Sequence, residues 1–159
     1  MHNVQESHAH FAHAFNLETW QLLQKENRTP EEEERMIGAA HASHCHWQAV
    51  GGVVEAQRGL WLVSHVYAEL GLGEPSLRYA HRCLQLTDRH PEQMQDFDRA
   101  YAFEGMARAA AVAGDGGTAA RYRALAGETG ATIANGEDRA IFTGDLDGGN
   151  WGVLQEGVG

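Results

Sequence analysis

Most of the features that identify a protein at a glance are missing from this chain. Only two cysteines, Cys45 and Cys83, occur in 159 residues, and each falls inside a helical pattern. That excludes a disulfide framework and fits two reduced thiols in a cytoplasm. Basic residues are scarce, with 12 Lys and Arg against 22 Asp and Glu, for a net charge of -10. Such a surface repels phosphate backbones and anionic lipids, so neither nucleic acid nor a membrane surface is an expected partner. No apolar run approaches the length needed to span a bilayer. The polar stretch from Met1 to His10 lacks the basic-then-apolar pattern of a signal peptide. There is no phosphate-binding Gly loop leading to a Lys, no G-x-S-x-G elbow, no H-E-x-x-H and no C-x-x-C. Strand signals are nearly absent as well.

Helix signals fill the chain instead. Hydrophobic residues make up 43% of it, enough for one domain with a real core. The apolar spacing of Phe11, Phe15, Trp20, Leu22 and Leu23 predicts a first helix over about 7–25. Thr29, Pro30 and Glu32 form a capping-box start to a second, which runs to Val50 before Gly51-Gly52. The acidic run Glu31 to Glu34 then sits in the first turn, where the helix dipole favours it. A third helix over about 53–70 carries Val63, Val66, Tyr67 and Leu70, and Gly71 ends it. Pro75 and Pro91 open the fourth and fifth, the latter reaching Ala113 before Gly114. A sixth spans about 118–129, and a seventh follows Asn135 to about 146. Residues 1–146 thus read as one domain, and 147–159 as a Gly-rich tail to which Trp151 can supply an anchor.

A weak internal repeat appears at an offset of 43 residues. Leu70-Gly71 matches Ala113-Gly114, Arg78-Tyr79 matches Arg121-Tyr122, and Cys83 matches Ala126. Each unit is a helix, a Gly turn and a second helix, which cannot bury its apolar face without a stacked neighbour. Tyr67, Gly71 and Cys83, then Gly114, Ala119 and Ala126, fall where tetratricopeptide (TPR) repeats place their tyrosine, glycine and small residues. The chain therefore resembles TPR-like helical hairpin proteins over about 53–131, in degenerate repeats at about 53–90 and 91–131. The usual Trp and first Gly of the leading helix are missing. It also resembles small bacterial TPR-like proteins through Ala40-His41-Ala42-Ser43, His46-Trp47, Asp96-Phe97-Asp98 and Glu104. The resemblance implies an all-α, right-handed superhelix of about seven helices in antiparallel hairpins, with a groove. A fold of that kind does not fix a function.

Three groups of residues can carry chemistry. His41, His44 and Cys45 lie at i, i+3 and i+4 on the second helix, and imidazole with thiolate suits Zn, Fe, Cu or Ni. His46 points elsewhere. Glu104 stands on the apolar stripe Met94, Phe97, Tyr101 of the fifth helix, where a carboxylate is expensive unless paired or metal-bound. Its expected partner is His65, His81, Arg58 or a metal. His65 and His81 flank the inner sides of the third and fourth helices. Against each group stands a plainer account: a His-rich helix, a structural ion pair, satisfied core histidines. His8, His10 and His13 form a further group, expected to be exposed.

Two functions follow. One is a small-ligand or transition-metal binding protein, or a metal-dependent enzyme, with its pocket between helices two to five. Its metal ligands would be His41, His44, Cys45, His65 and His81, with Glu104 a further ligand or the general base, and its ligand contacts Arg58, Trp47, Trp61 and Tyr101. The other is a TPR-like interaction module without chemistry, taking a peptide or partner helix through Trp47, Trp61, Tyr67 and Tyr101. Convergence of the nitrogen, sulfur and carboxylate groups separates the two. An exposed stack end would suit a homodimer in either case.

Overall fold

The computed structural model describes residues 3–158. Met1, His2 and Gly159, at the ends of the expected domain and tail, lie outside them. Among the described residues there are seven α-helices and no strand. They are α1 (Val4–Leu23), α2 (Pro30–Val50), α3 (Val53–Glu69), α4 (Gly73–Arg89), α5 (Asp96–Val112), α6 (Gly116–Gly130) and α7 (Gly136–Asp147). A single 3-10 turn, Pro91–Gln93, precedes α5, and a 3-10 helix, Gly152–Val158, follows α7. Among the described residues no helix is long and apolar enough to cross a membrane.

Local chemistry sets the helix starts. Thr29 accepts from the Glu32 amide at 3.1 Å, and Glu32 accepts from the Thr29 amide at 3.0 Å. Asp115 and Asn135 cap α6 and α7 in the same sense, accepting from Thr118 and Asp138. Asp98 reaches back to the Gln95 amide at 2.9 Å and fixes the start of α5. Pro91, expected to open the fifth helix, opens only the 3-10 turn, and the helix begins five residues later.

The 43-residue offset is realised in the backbone. It carries Val53–Glu69 onto Asp96–Val112, so α3 and α5 superpose in sequence without a gap. The starts of α2, α4 and α6, at Pro30, Gly73 and Gly116, are separated by the same interval. Both Gly turns close identically. Gly71 (φ 77°) and Gly114 (φ 91°) occupy the left-handed region that favours glycine. The Leu72 amide donates to Tyr67 and the Gly71 amide to Ala68, while Asp115 donates to Ala110 and Gly114 to Ala111. Each set is a Schellman motif.

The short turns make each pair of successive helices antiparallel, and α5 lies at the centre. Ala100, Ala102, Ala107, Ala109, Ala110 and Ala111 are all buried there. Their small size lets α3, α4, α6 and the C-terminal segment approach on every side. Repeat-equivalent positions nonetheless differ in surroundings. A methyl on Gly73 would meet the Ala113 Cα at 2.5 Å and its nitrogen at 2.7 Å, atoms that cannot move. A methyl on Gly116 would find only the Val153 side chain, at 3.7 Å. Gly73→Ala is therefore expected to lower stability by about 1–3 kcal/mol through overpacking. Gly116→Ala should be neutral or stabilise by about 0.5 kcal/mol through the unfolded chain. Paired urea melts will show whether the two equivalent glycines part in this way.

The segment after α7 turns back onto the domain instead of leading away from it. Trp151 is 2% exposed, and its indole N–H donates to the Leu146 carbonyl at 2.9 Å. Its ring lies 4.2 Å from both the Arg108 and the Arg123 guanidinium. A large apolar ring between two cations is well held there by burial and cation–π attraction together.

Candidate functional site

A cavity of about 260 Å³ opens between α1, α3, α5 and α7. Trp20, Trp61, Phe97 and Tyr101 give it aromatic walls, with Asn16, Gln57 and Leu62 between them and Arg58, Asp98 and Asp145 at its polar parts. It was expected between helices two to five. It lies elsewhere because α2 and α4 are the outer members of their hairpins, whereas the leading helices α1, α3 and α5 face one another across the space.

The walls are ordered by ring contacts. Trp61 meets Trp20 in a stack at 6.0 Å, His65 in a stack at 4.8 Å, and Tyr101 edge-on at 5.2 Å. Tyr101 donates to Asp145 at 2.5 Å, which ties α5 to α7 across one side. Burial, and then that carboxylate, pushes the Tyr101 phenol pKa well above its ordinary value. It remains a donor, never a phenolate base. Arg58 is gripped by Asp98 through two bonds, Nε to Oδ1 at 2.9 Å and Nη2 to Oδ2 at 3.2 Å. Its guanidinium also lies 5.1 Å from the Phe97 ring. About half its side chain remains exposed, so it retains donors for a ligand, although its charge is already matched.

Next to Trp61 of the cavity wall lies a buried ionisable cluster. Glu104 is fully buried, and Arg108, one turn on, is 1% exposed. The Arg108 Nε stands 3.5 Å from both Glu104 oxygens, the limit of a hydrogen bond, so their attraction is mainly coulombic. The rest of the guanidinium serves the chain end. Nη1 donates to the Gly148 carbonyl at 2.8 Å and to Asn150 at 3.2 Å, and Nη2 donates to Asp145 at 2.8 Å. Glu69 accepts from the Asn150 amide at 3.0 Å and sits 3.7 Å from Arg108. Gly149 (φ 81°) crosses directly over this pair, where a methyl would meet Arg108 Nη1 and Glu69 Oε1 at 2.5 Å each. One cation thus lies between two carboxylates. Burial pushes the Glu104 pKa up to about 7, against the pull of Arg108.

The 43-residue offset places Trp61 on Glu104 and His65 on Arg108, so the two helices present equivalent pairs to each other. The Trp61 indole N–H faces the Glu104 carboxylate without closing a bond of good geometry, and it has no other partner. The His65 Nδ1 is likewise without a partner. His65 Nε2 stands 4.0 Å from Glu69, and 14% of the side chain still meets solvent. Its ring is otherwise enclosed, and burial, helped by Arg108, holds its pKa down to about 3. This enclosure favours the neutral imidazole.

The structure therefore brings three of the singled-out residues, Arg58, Trp61 and Tyr101, to one cavity, with His65 and Glu104 adjoining Trp61 but not lining the space. It disperses the other five. His41 bonds the Tyr67 hydroxyl at 2.8 Å and lies edge-on to Tyr79. His44 is buried against Gly59, where any side chain would strike its ring, and burial lowers its pKa. Cys45 is exposed. The shared helical face of these three is split because α2 buries Met36, Ala40, Ser43 and His44, leaving Cys45 one step round toward water. His81 is exposed, since the inner stripe of α4 is Ser76, Ala80, Cys83 and Thr87. Trp47 stacks edge-on against His13, away from the cavity. Among the described residues no group of three or more His, Cys, Asp or Glu side chains is placed to hold a metal ion. Burial pushes the Cys83 pKa far up, so that thiol is held protonated.

Sequence reasoning missed Arg108, Asp98, Asp145, Trp20 and Phe97. Arg108 had a signal, since it stands one turn from Glu104 on the same face. Asp145 had none, because only the return of α7 brings it to α5. Comparisons with protein-family models, curated proteins and solved structures give no match.

Proposed function

We propose that this protein binds a small, flat, largely apolar molecule in the cavity between α1, α3, α5 and α7. The observation that carries the reading is the four-ring wall of Trp20, Trp61, Phe97 and Tyr101 with a polar rim at Arg58, Asp98 and Asp145. Apolar walls with a few placed polar groups are the pattern of a small-molecule site. At about 260 Å³ the space falls just under the roughly 300–1,000 Å³ usual for drug-sized ligands, so one or two fused rings suit it. Glu104 serves this site as support beside Trp61 and not as a catalytic base, because it is wholly enclosed and engaged by Arg108. The hairpins are TPR-like in this reading. Its support is the repeated 43-residue spacing, the paired Schellman turns, and a cavity lined by the leading helices α1, α3 and α5 together with Asp145 of α7. Two free thiols suit a reducing, cytoplasmic setting.

The test uses indole, quinoline and 1-naphthol as probes, observed by saturation-transfer NMR and by tryptophan fluorescence. At least one is expected to bind in the micromolar to millimolar range. Asn16→Trp, which fills the cavity from α1 without altering its aromatic walls, should weaken it at least tenfold. Binding by none of the three, or binding that ignores the filled cavity, would overturn the reading.

A further inference from the structure

His46, which the spacing on α2 set apart from the other histidines, meets a partner from the neighbouring helix. Its Nδ1 lies 2.8 Å from the Nδ1 of His8 on α1. Phe15 stacks on the His46 ring at 6.0 Å with planes 7° apart, and Phe11 flanks it at 5.5 Å. Both histidines are half-buried, and the rings are held by their neighbours. Between two uncharged imidazoles only one nitrogen of such a pair can donate, and the other must accept. When the donating ring carries its proton on Nε2 instead, both Nδ1 atoms offer a lone pair to the space between the rings.

We propose that His8 and His46 form a two-histidine site for a divalent transition metal, bridging α1 and α2. The two nitrogens stand 2.8 Å apart, close to the about 3.0 Å that neighbouring positions on one ion require with metal–nitrogen bonds of about 2.1 Å, and imidazole suits Ni²⁺, Cu²⁺ and Zn²⁺ alike. The remaining coordination positions are open to water or to a further ligand. The site is separate from the aromatic cavity, and neither depends on the other.

The decisive measurement is thermal unfolding of the full chain, free of any affinity tag and stripped with EDTA, with and without NiCl₂ in a non-chelating buffer. An ion held across two folded helices binds only the native state and raises Tm, whereas one held by local histidines binds the unfolded chain equally and does not. Ni²⁺ should raise Tm by several degrees. His8→Ala and His46→Ala should each abolish the shift, while His10→Ala, His13→Ala should keep it. No shift in the wild type, or one that survives both single variants, means an adventitious ion only and overturns the site.

Discussion

Arg108→Ala will be among the most damaging single substitutions in this chain, lowering the unfolding free energy by about 3–5 kcal/mol. Three separate losses add at this position. The buried Glu104 carboxylate loses its only close cation, and truncating one member of a buried pair leaves the other uncompensated. The carbonyls of Asp145, Gly148 and Asn150 lose their donors. The Trp151 ring loses one of the two guanidinium groups that enclose it. Arg108→Lys should recover little, because an ammonium on one stem cannot fork to carbonyls on different sides. Glu104→Gln should cost far less, since its contact with Arg108 is long and the amide keeps shape and polarity. Urea denaturation of the three variants gives the order. Equal destabilisation by Arg108→Ala and Glu104→Gln would mean that the ion pair, and not the docking of the chain end, dominates.

That order also marks what the sequence made legible. Every helix was readable from caps, glycines and apolar spacing because those signals act within one or two turns. The repeat was readable for the same reason: Gly71 and Gly114 are demanded locally by a left-handed backbone. Glu104 stood out because a carboxylate on an apolar stripe violates the local pattern, and it is indeed fully buried. The sequence could not reveal its setting. The aromatic cavity joins residues as distant as Asn16 and Asp145, and that meeting depends on how the hairpins stack and on the return of α7. The histidines of α2 misled for a related reason. Helical spacing places His41, His44 and Cys45 on one side of a cylinder, but the tertiary contacts of α2 divide that side between α3, the tyrosines and water. His8 and His46 met instead, although nothing in a 38-residue separation announces it.

Glu104 and His65 should give the fold two opposing pH dependences that conceal each other. Burial raises the Glu104 pKa from 4.5 to about 7, so between those values the folded chain keeps a proton that the unfolded chain has lost. Its contribution to stability is full below 4.5 and is lost as pH rises through 7. Burial lowers the His65 pKa from 6.5 to about 3, so between those values the unfolded chain holds a proton that the folded chain lacks. Its contribution is full above 6.5 and is lost as pH falls through 3. From pH 4.5 to 6.5 the two slopes have opposite sign and similar size, about 1.4 kcal/mol per pH unit each. Each single variant should expose the other group. Glu104→Gln removes the falling limb, so relative to wild type its stability should rise with pH across this window. His65→Phe keeps the stack on Trp61 and removes the rising limb, so its stability should fall across the same window. Urea melts at pH 4.5, 5.5 and 6.5 will decide the matter, because every other titrating group is common to the three proteins. Opposite departures from wild type would establish that both groups are buried in the uncharged form. Parallel curves would mean that Glu104 stays ionised against Arg108 or that water reaches His65, and the cluster beside the cavity would then be a charged one.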